Sequence, residues 1–295
     1  MKMAGLVVLI AYSSESLMCM ETVSYVWNHQ ITSNISKVAV VTAVSLFSYK
    51  TLRDIYQHWN ASTEKKMIKH LACIMDGNRR WARQKGWLPW VGHRQGAQAV
   101  KNVVDFCLEK NIPYLSLYTF SIENFKRPAE ELNYLFDLMI EESDALLEQY
   151  IAKGVCVRFI GDRTLFPEKI RPTCERIEQA TAHLSTLHLN FLFCYGGRQE
   201  IIGGIKQIIG KIKTGELVED QLTDELFAQC LWTAGMPEPD MILRTGGAKR
   251  LSNFLLYQAA YAECYFIDCL WPELTKKHLE RAMVFFQETQ RNYGT

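Results

Sequence analysis

The sequence predicts an α/β domain, an open and mostly parallel sheet of six strands flanked by helices. Two observations carry this expectation. From His70 onward six short β-rich runs alternate with six amphipathic stretches of helical period, the pattern of strand-helix-strand units that cover both faces of a sheet. Each run is also followed at once by turn or charged residues, and ligands of such sheets gather just outside the carboxyl ends of the strands.

Taken in order, the expected strands are Leu71 to Met75, Tyr114 to Phe120, Val155 to Ile160, Leu187 to Tyr195, Met241 to Leu243 and Cys264 to Ile267. The expected helices are Gln95 to Glu109, Ala129 to Lys153, Glu168 to His183, Gln199 to Lys213, Asp224 to Ala234 and Lys276 to Arg291. No repeat, low-complexity tract or linker interrupts this alternation, so residues 67–295 read as one catalytic domain.

Residues 1–66 read as an N-terminal extension, partly ordered or membrane-associated. Its apolar stretches, Ala4 to Ala11 and Val38 to Phe47, fall short of the roughly 20 residues that span a bilayer. The second lies between Lys37 and Lys50, flanks that suit a helix lying on a membrane surface. Cleavage of a signal peptide at the first would send a cytosolic-type chain to the wrong side of the membrane. Nine cysteines without CxxC pairs or zinc spacing fit reduced thiols, hence a cytoplasmic location. With 33 basic and 32 acidic residues there is no global field for nucleic acid, and an anionic substrate must be met by local charge.

Three polar clusters supply such charge. Directly after the first strand comes Asp76-Gly77-Asn78-Arg79-Arg80-Trp81-Ala82, where glycine permits a tight turn and Arg80 offers a planar fork to phosphate oxygens. Asp76 would repel an anion unless a magnesium ion stood between them. Read alone, the heptapeptide suits a capped strand-to-helix turn equally well. Ser121-Ile122-Glu123-Asn124-Phe125-Lys126-Arg127-Pro128 follows the second strand and in isolation reads first as an N-cap box, with Arg127 as a further phosphate ligand. The third cluster runs from Arg244 to Phe254, where Arg244 and Arg250 flank a Gly-Gly loop beside Lys249, Leu251 and Ser252. Downstream, Glu263 is a carboxylate in an apolar stretch, either a metal ligand or the partner of an arginine. His93, in Gly92-His93-Arg94, reads by itself as a helix-start histidine.

In this order and spacing the motifs MDGNRRWA, SxENFxRP, YGGR (Tyr195 to Arg198) and RTGGxxRLSNFLxxQxxYAE resemble those of the undecaprenyl diphosphate synthase family, the single-subunit cis-prenyltransferases. The resemblance spans about His70 to Gly294. It implies the cis-prenyltransferase fold, a homodimer, and condensation of isopentenyl diphosphate onto farnesyl diphosphate to give undecaprenyl diphosphate, a lipid carrier precursor for cell-wall glycan. It implies that Asp76 holds Mg2+ and Glu263 completes the metal shell. Gly77, Asn78, Arg79, Arg80, Trp81, His93 and Arg127 would cradle the allylic diphosphate, with Ser121, Ile122, Glu123 and Phe125 along the same pocket. Asn124 would stand at the proton-accepting position, and Arg244, Arg250, Leu251 and Ser252 would hold isopentenyl diphosphate. Contact with the membrane would be peripheral, through the product or the extension.

Departures from the family pattern are Arg79 for a common glycine, Pro89 for a frequent arginine, Ala248 for a glutamate, Cys194 for an asparagine, and Asn292 in a C-terminal Arg-x-Gly motif for which Arg291 is a substitute. They bear on affinity and rate more than on reaction type. Leu132, Leu135, Phe136, Met139, Leu146 and Leu147 are expected to be core, and equally to wall a product tunnel that Thr119 and Val157 leave open. A trans-type synthase is excluded by the missing DDxxD pairs. A non-catalytic scaffold subunit is disfavoured by Asp76.

Overall fold

The computed structural model of the chain describes residues 66–289; the two apolar stretches of the extension, Arg291 and Asn292 lie outside them. Strand β1 (His70–Ile74) leads through α1 (Asn78–Gln84) and α2 (Val91–Glu109) to β2 (Tyr114–Ser121). Helix α3 (Ala129–Ala152) leads to β3 (Val155–Ile160), α4 (Arg171–Thr181) to β4 (Leu187–Tyr195), and α5 (Gly197–Lys213) with α6 (Asp224–Gln229) to β5 (Met241–Arg244). A long loop then reaches β6 (Glu263–Phe266), followed by α7 (Lys276–Glu288). The six strands form one sheet in the order β3-β4-β2-β1-β5-β6, and every pairing is parallel.

All five residues of β1 are buried, as a central parallel strand covered on both faces requires. One face carries the larger core, in which Val103, Leu115, Leu117, Phe136 and Phe193 meet. The other carries a smaller one around Ile74, Leu192, Ile242 and Phe254. Helix α2 buries Gly92, Gly96, Ala99, Val103 and Phe106, a stripe of helical period, and the Gly96 carbonyl accepts the Trp271 indole N–H at 2.9 Å.

Each strand lies within one residue of its expected limits, whereas the helices depart more. Helix α1 is given no bounds by the sequence, which offers a strand-to-helix turn there; its Trp81 and Ala82 pack against Leu270. Helix α6 ends at Gln229 rather than Ala234. The Thr233 N–H is taken by the buried Glu200 carboxylate at 2.9 Å, which draws the chain out of the helical path. Among the described residues no helix is long and apolar enough to cross a membrane.

The chain leaves β1 toward β2 on one side and returns from β4 to β5 on the other. The carboxyl ends of β1 and β5 therefore flank the point where the order reverses, the place at which such sheets take ligands.

Candidate active site

Asp76 lies two residues past β1 and Arg244 is the last residue of β5, so the parallel register brings them together from 168 positions apart. Arg244 donates from Nη2 to Asp76 Oδ2 at 2.9 Å and Arg80 donates to Asp76 Oδ1 at 3.1 Å. The other end of the Arg244 fork donates to the Arg250 carbonyl and, at 2.8 Å, to Ser252 Oγ. Arg244 is nearly buried, while the Asp76 side chain is 29% exposed. The loop is shaped to allow this. Gly246 has φ 80°, and a Cβ there would run into the Arg80 guanidinium; Ser252 and Asn253 both adopt left-handed backbone, which is strained for residues other than glycine.

The second cluster caps the turn that opens α3. Asn124 Oδ1 accepts the Ser121 N–H at 3.3 Å, so the amide nitrogen of Asn124 remains available as a donor. Arg127 follows, its guanidinium 3.3 Å from Glu131, a carboxylate only 1% exposed. The same carboxylate lies 3.4 Å from Arg79 and 3.8 Å from His93. Burial lowers the pKa of His93 and of Arg127, and the ring of His93 with the two guanidinium groups holds the Glu131 carboxyl below the usual range. Glu131 is the residue that motif reading missed; its position four after Arg127, in the first turn of a helix, was the available signal.

Both clusters open on one cavity of about 460 Å³ that runs from the carboxyl ends of β1, β2 and β5 between the sheet, α2 and α3. Its mouth is polar, lined by Asp76, Asn78, His93, Ser121, Asn124, Arg127, Arg244, Arg250 and Ser252. Its depth is largely apolar, lined by Leu135, Phe136, Met139, Leu146, Val157, Phe159, Phe191 and Phe193, with Thr119, Glu142, Ser143 and Tyr150 as the polar exceptions. Of the expected tunnel wall, Leu132 and Leu147 pack in the core instead of lining it.

Several expected site residues stand elsewhere. Glu263 begins β6 and pairs in register with Met241, three residues and about 10 Å down the sheet from Arg244, and it does not line the cavity. Glu123 accepts a hydrogen bond from Asn253 at 2.8 Å, tying the second cluster to the third and not lining the cavity. Trp81 packs on Leu270 and, edge to face, on Trp87; Phe125 packs on Phe120; Leu251 joins the smaller core. None of these three, nor Ile122, Gly77, Arg79 and Arg80, lines the cavity, although Arg80 reaches its rim through Asp76 and Arg79 meets Glu131 beside Arg127 and His93. Burial of the Trp81 face of α1 leaves Arg80 exposed on Asp76 and sends Arg79 to the buried Glu131.

Residues 74–294 match the family described as "Putative undecaprenyl diphosphate synthase". The chain belongs to the undecaprenyl diphosphate synthase family. It is 39% identical over 251 residues to a tritrans,polycis-undecaprenyl-diphosphate synthase (geranylgeranyl-diphosphate specific) of Methanopyrus kandleri, an alignment covering 83% of this chain and 93% of that one. The crystal structure of a probable undecaprenyl diphosphate synthase from Campylobacter jejuni is similar at TM-score 0.66 and 37% identity, over 78% of this chain and all of the other. Lavandulyl diphosphate synthase from Lavandula x intermedia, solved with dimethylallyl diphosphate, is similar at TM-score 0.75 and 27% identity, over 78% of this chain and 99% of that one. The chain is thus a cis-prenyltransferase, and the cavity with a cationic mouth and an apolar depth lies within the matched span.

Proposed function

We propose that this cis-prenyltransferase condenses isopentenyl diphosphate repeatedly onto an allylic primer, farnesyl diphosphate, to make a long Z-polyprenyl diphosphate of the undecaprenyl class. One observation carries the reading: two cationic clusters meet at the mouth of a single cavity whose depth is hydrocarbon-like. The substrates have that same polarity, a diphosphate head on an apolar tail.

In this reading Asn78, His93 and Arg127 hold the allylic diphosphate, and Arg244, Arg250 and Ser252 hold that of isopentenyl diphosphate. Guanidinium groups stabilise the charge that builds on the departing oxygens more strongly than they stabilise the intact ester. Placing the alkene of the second substrate against the allylic carbon is a matter of orientation, which the fixed Arg244–Ser252 contact supports. Asn124 is a poor base, and with Oδ1 already bonded its free N–H orients a phosphate oxygen or a water that takes the proton.

Magnesium fits this donor set through Asp76 alone. Among the described residues no three acidic, histidine or cysteine side chains converge, but magnesium keeps waters and takes substrate phosphates, needing only one or two protein carboxylates. When bound it would neutralise charge on the diphosphate oxygens. The chain is read as a homodimer, which light scattering of the purified chain tests.

Incubation with farnesyl diphosphate, labelled isopentenyl diphosphate and magnesium, followed by product sizing, tests the whole reading; absence of chain growth would end it. The name of the Methanopyrus kandleri relative favours a second primer, geranylgeranyl diphosphate. Competition between the two primers, read from the sizes of the first products, decides between them.

A further inference from the structure

Three basic side chains from three elements converge on Glu131: Arg79 from α1, His93 from α2 and Arg127 from the turn before α3. A carboxylate this buried is costly unless it is paired. Yet the pairing is loose. Its contacts of 3.3 to 3.8 Å leave Glu131 Oε1, Arg79 Nε and His93 Nε2 without hydrogen-bond partners. Two guanidinium groups against one carboxylate leave a surplus of one positive charge even with His93 neutral. Without Glu131 nothing in the cluster would offset the repulsion between Arg79 and Arg127, and both side chains have solvent to turn into.

Glu131 itself does not line the cavity, whereas His93 and Arg127 do. It also makes no contact with the Asp76, Arg244 and Ser252 cluster, whose bonds run among themselves and to Arg80 and Arg250. We propose that Glu131 is a positioning residue: it holds Arg79, His93 and Arg127 together as a preformed seat for the diphosphate of the allylic substrate, and serves that substrate only. This rests on the prenyl-transfer reading of the mouth. The gain is preorganisation, since donors held in place lose less freedom when the ligand arrives.

The test compares wild type with Glu131→Gln and Glu131→Asp. The measurements are calorimetric binding of farnesyl diphosphate and of isopentenyl diphosphate, the KM of each, and a thermal melt. Loss of a group that orients a metal's ligands typically costs about ten- to a hundred-fold in affinity, and a group that orients the donors to a diphosphate is expected to cost as much. Glu131→Gln is therefore expected to weaken farnesyl diphosphate by that factor in both Kd and KM, with isopentenyl diphosphate changed less than about twofold on the same scale. Glu131→Asp, which keeps the charge, is expected to recover part of the loss. Equal weakening of both substrates, or no weakening of the allylic one, overturns the proposal. Should Glu131→Gln fail to fold, Glu131→Asp carries the same comparison, and an unchanged allylic Kd overturns it. Wild type that binds farnesyl diphosphate without condensing it would remove the reaction while the binding data still judge Glu131. Wild type that binds no diphosphate overturns both.

Discussion

Both ends of the sheet bury polar side chains, but in opposite ways. At the amino end His70 is fully buried; its Nδ1–H donates to the Pro237 carbonyl at 2.7 Å and its Nε2 accepts the Ser116 hydroxyl at 2.8 Å. Beside it Asp240 accepts the backbone N–H groups of Lys69 and His70. Asn190 Oδ1 is the one atom of this network without a partner, and the cavity does not reach it. At the carboxyl end the groups are mostly basic and under-bonded: Asn78 Oδ1, His93 Nε2 and Arg244 Nε lack hydrogen-bond partners on residues that line the open cavity, as does Arg79 Nε beside Glu131. A satisfied network rigidifies, whereas charged groups left short of partners are arranged for a ligand. The contrast separates polar residues that serve the fold from those that serve chemistry.

The largest effect expected from this contrast is that of Asp76→Ala, which removes, among the described residues, the one carboxylate at the mouth that is exposed enough to exchange its arginine partners for a metal. Turnover should fall on the order of a thousandfold, with a melting temperature close to wild type. Near-normal turnover would reduce Asp76 to a structural ion pair. Next, Arg250→Ala should raise the KM for isopentenyl diphosphate by an amount equivalent to about 2–4 kcal/mol, the worth of a charge-assisted contact. Its carbonyl, which Arg244 uses, survives the change. An unchanged dependence on isopentenyl diphosphate would separate Arg250 from that substrate.

The amino end is tested by pH. Burial lowers the His70 pKa from 6.5 to about 4, so the folded state binds its proton later than the unfolded state does. Stability from this group is therefore complete above pH 6.5 and is lost as pH falls toward 4. At pH 5 the loss should be about 2 kcal/mol, from roughly 1.4 kcal/mol per pH unit. Urea unfolding of wild type and His70→Asn at pH 7 and 5 measures it, and equal slopes in the two proteins would refute it. The smallest effect is expected in the depth of the cavity. Val157→Phe should shorten the products while leaving the first condensation within about threefold, since overpacking costs about 1–3 kcal/mol in stability and not in chemistry. Product sizing checks this, and an unchanged length distribution would move the tunnel away from β3.

Much of the fold was legible because its signals are local. Val155–Ile160 and Leu187–Tyr195 lie as expected, since both are mostly apolar runs, broken only by Arg158, His188 and Asn190 and bounded by turn residues. The weaker cases share a cause. Helix α1 and the early end of α6 depend on Leu270 and Glu200, which are distant in sequence and send no local signal. In the site, Asp76, Asn124, Arg127, Arg244, Arg250 and Ser252 were legible as motifs and do meet at the cavity. Glu263 was read as a buried lone carboxylate, but it is only half-buried, on the edge strand and at the far end of the sheet.

The order of apolar periods, turn residues and polar motifs along the chain thus determined the fold class and the kind of ligand, because each depends on neighbours a few positions away. Which carboxylate meets which cations was decided only in three dimensions. Strand register sets Asp76 against Arg244, and the packing of α1, α2 and α3 closes Arg79, His93 and Arg127 around Glu131. Charges interact over a few ångströms of space, and spacing along the chain does not encode that distance.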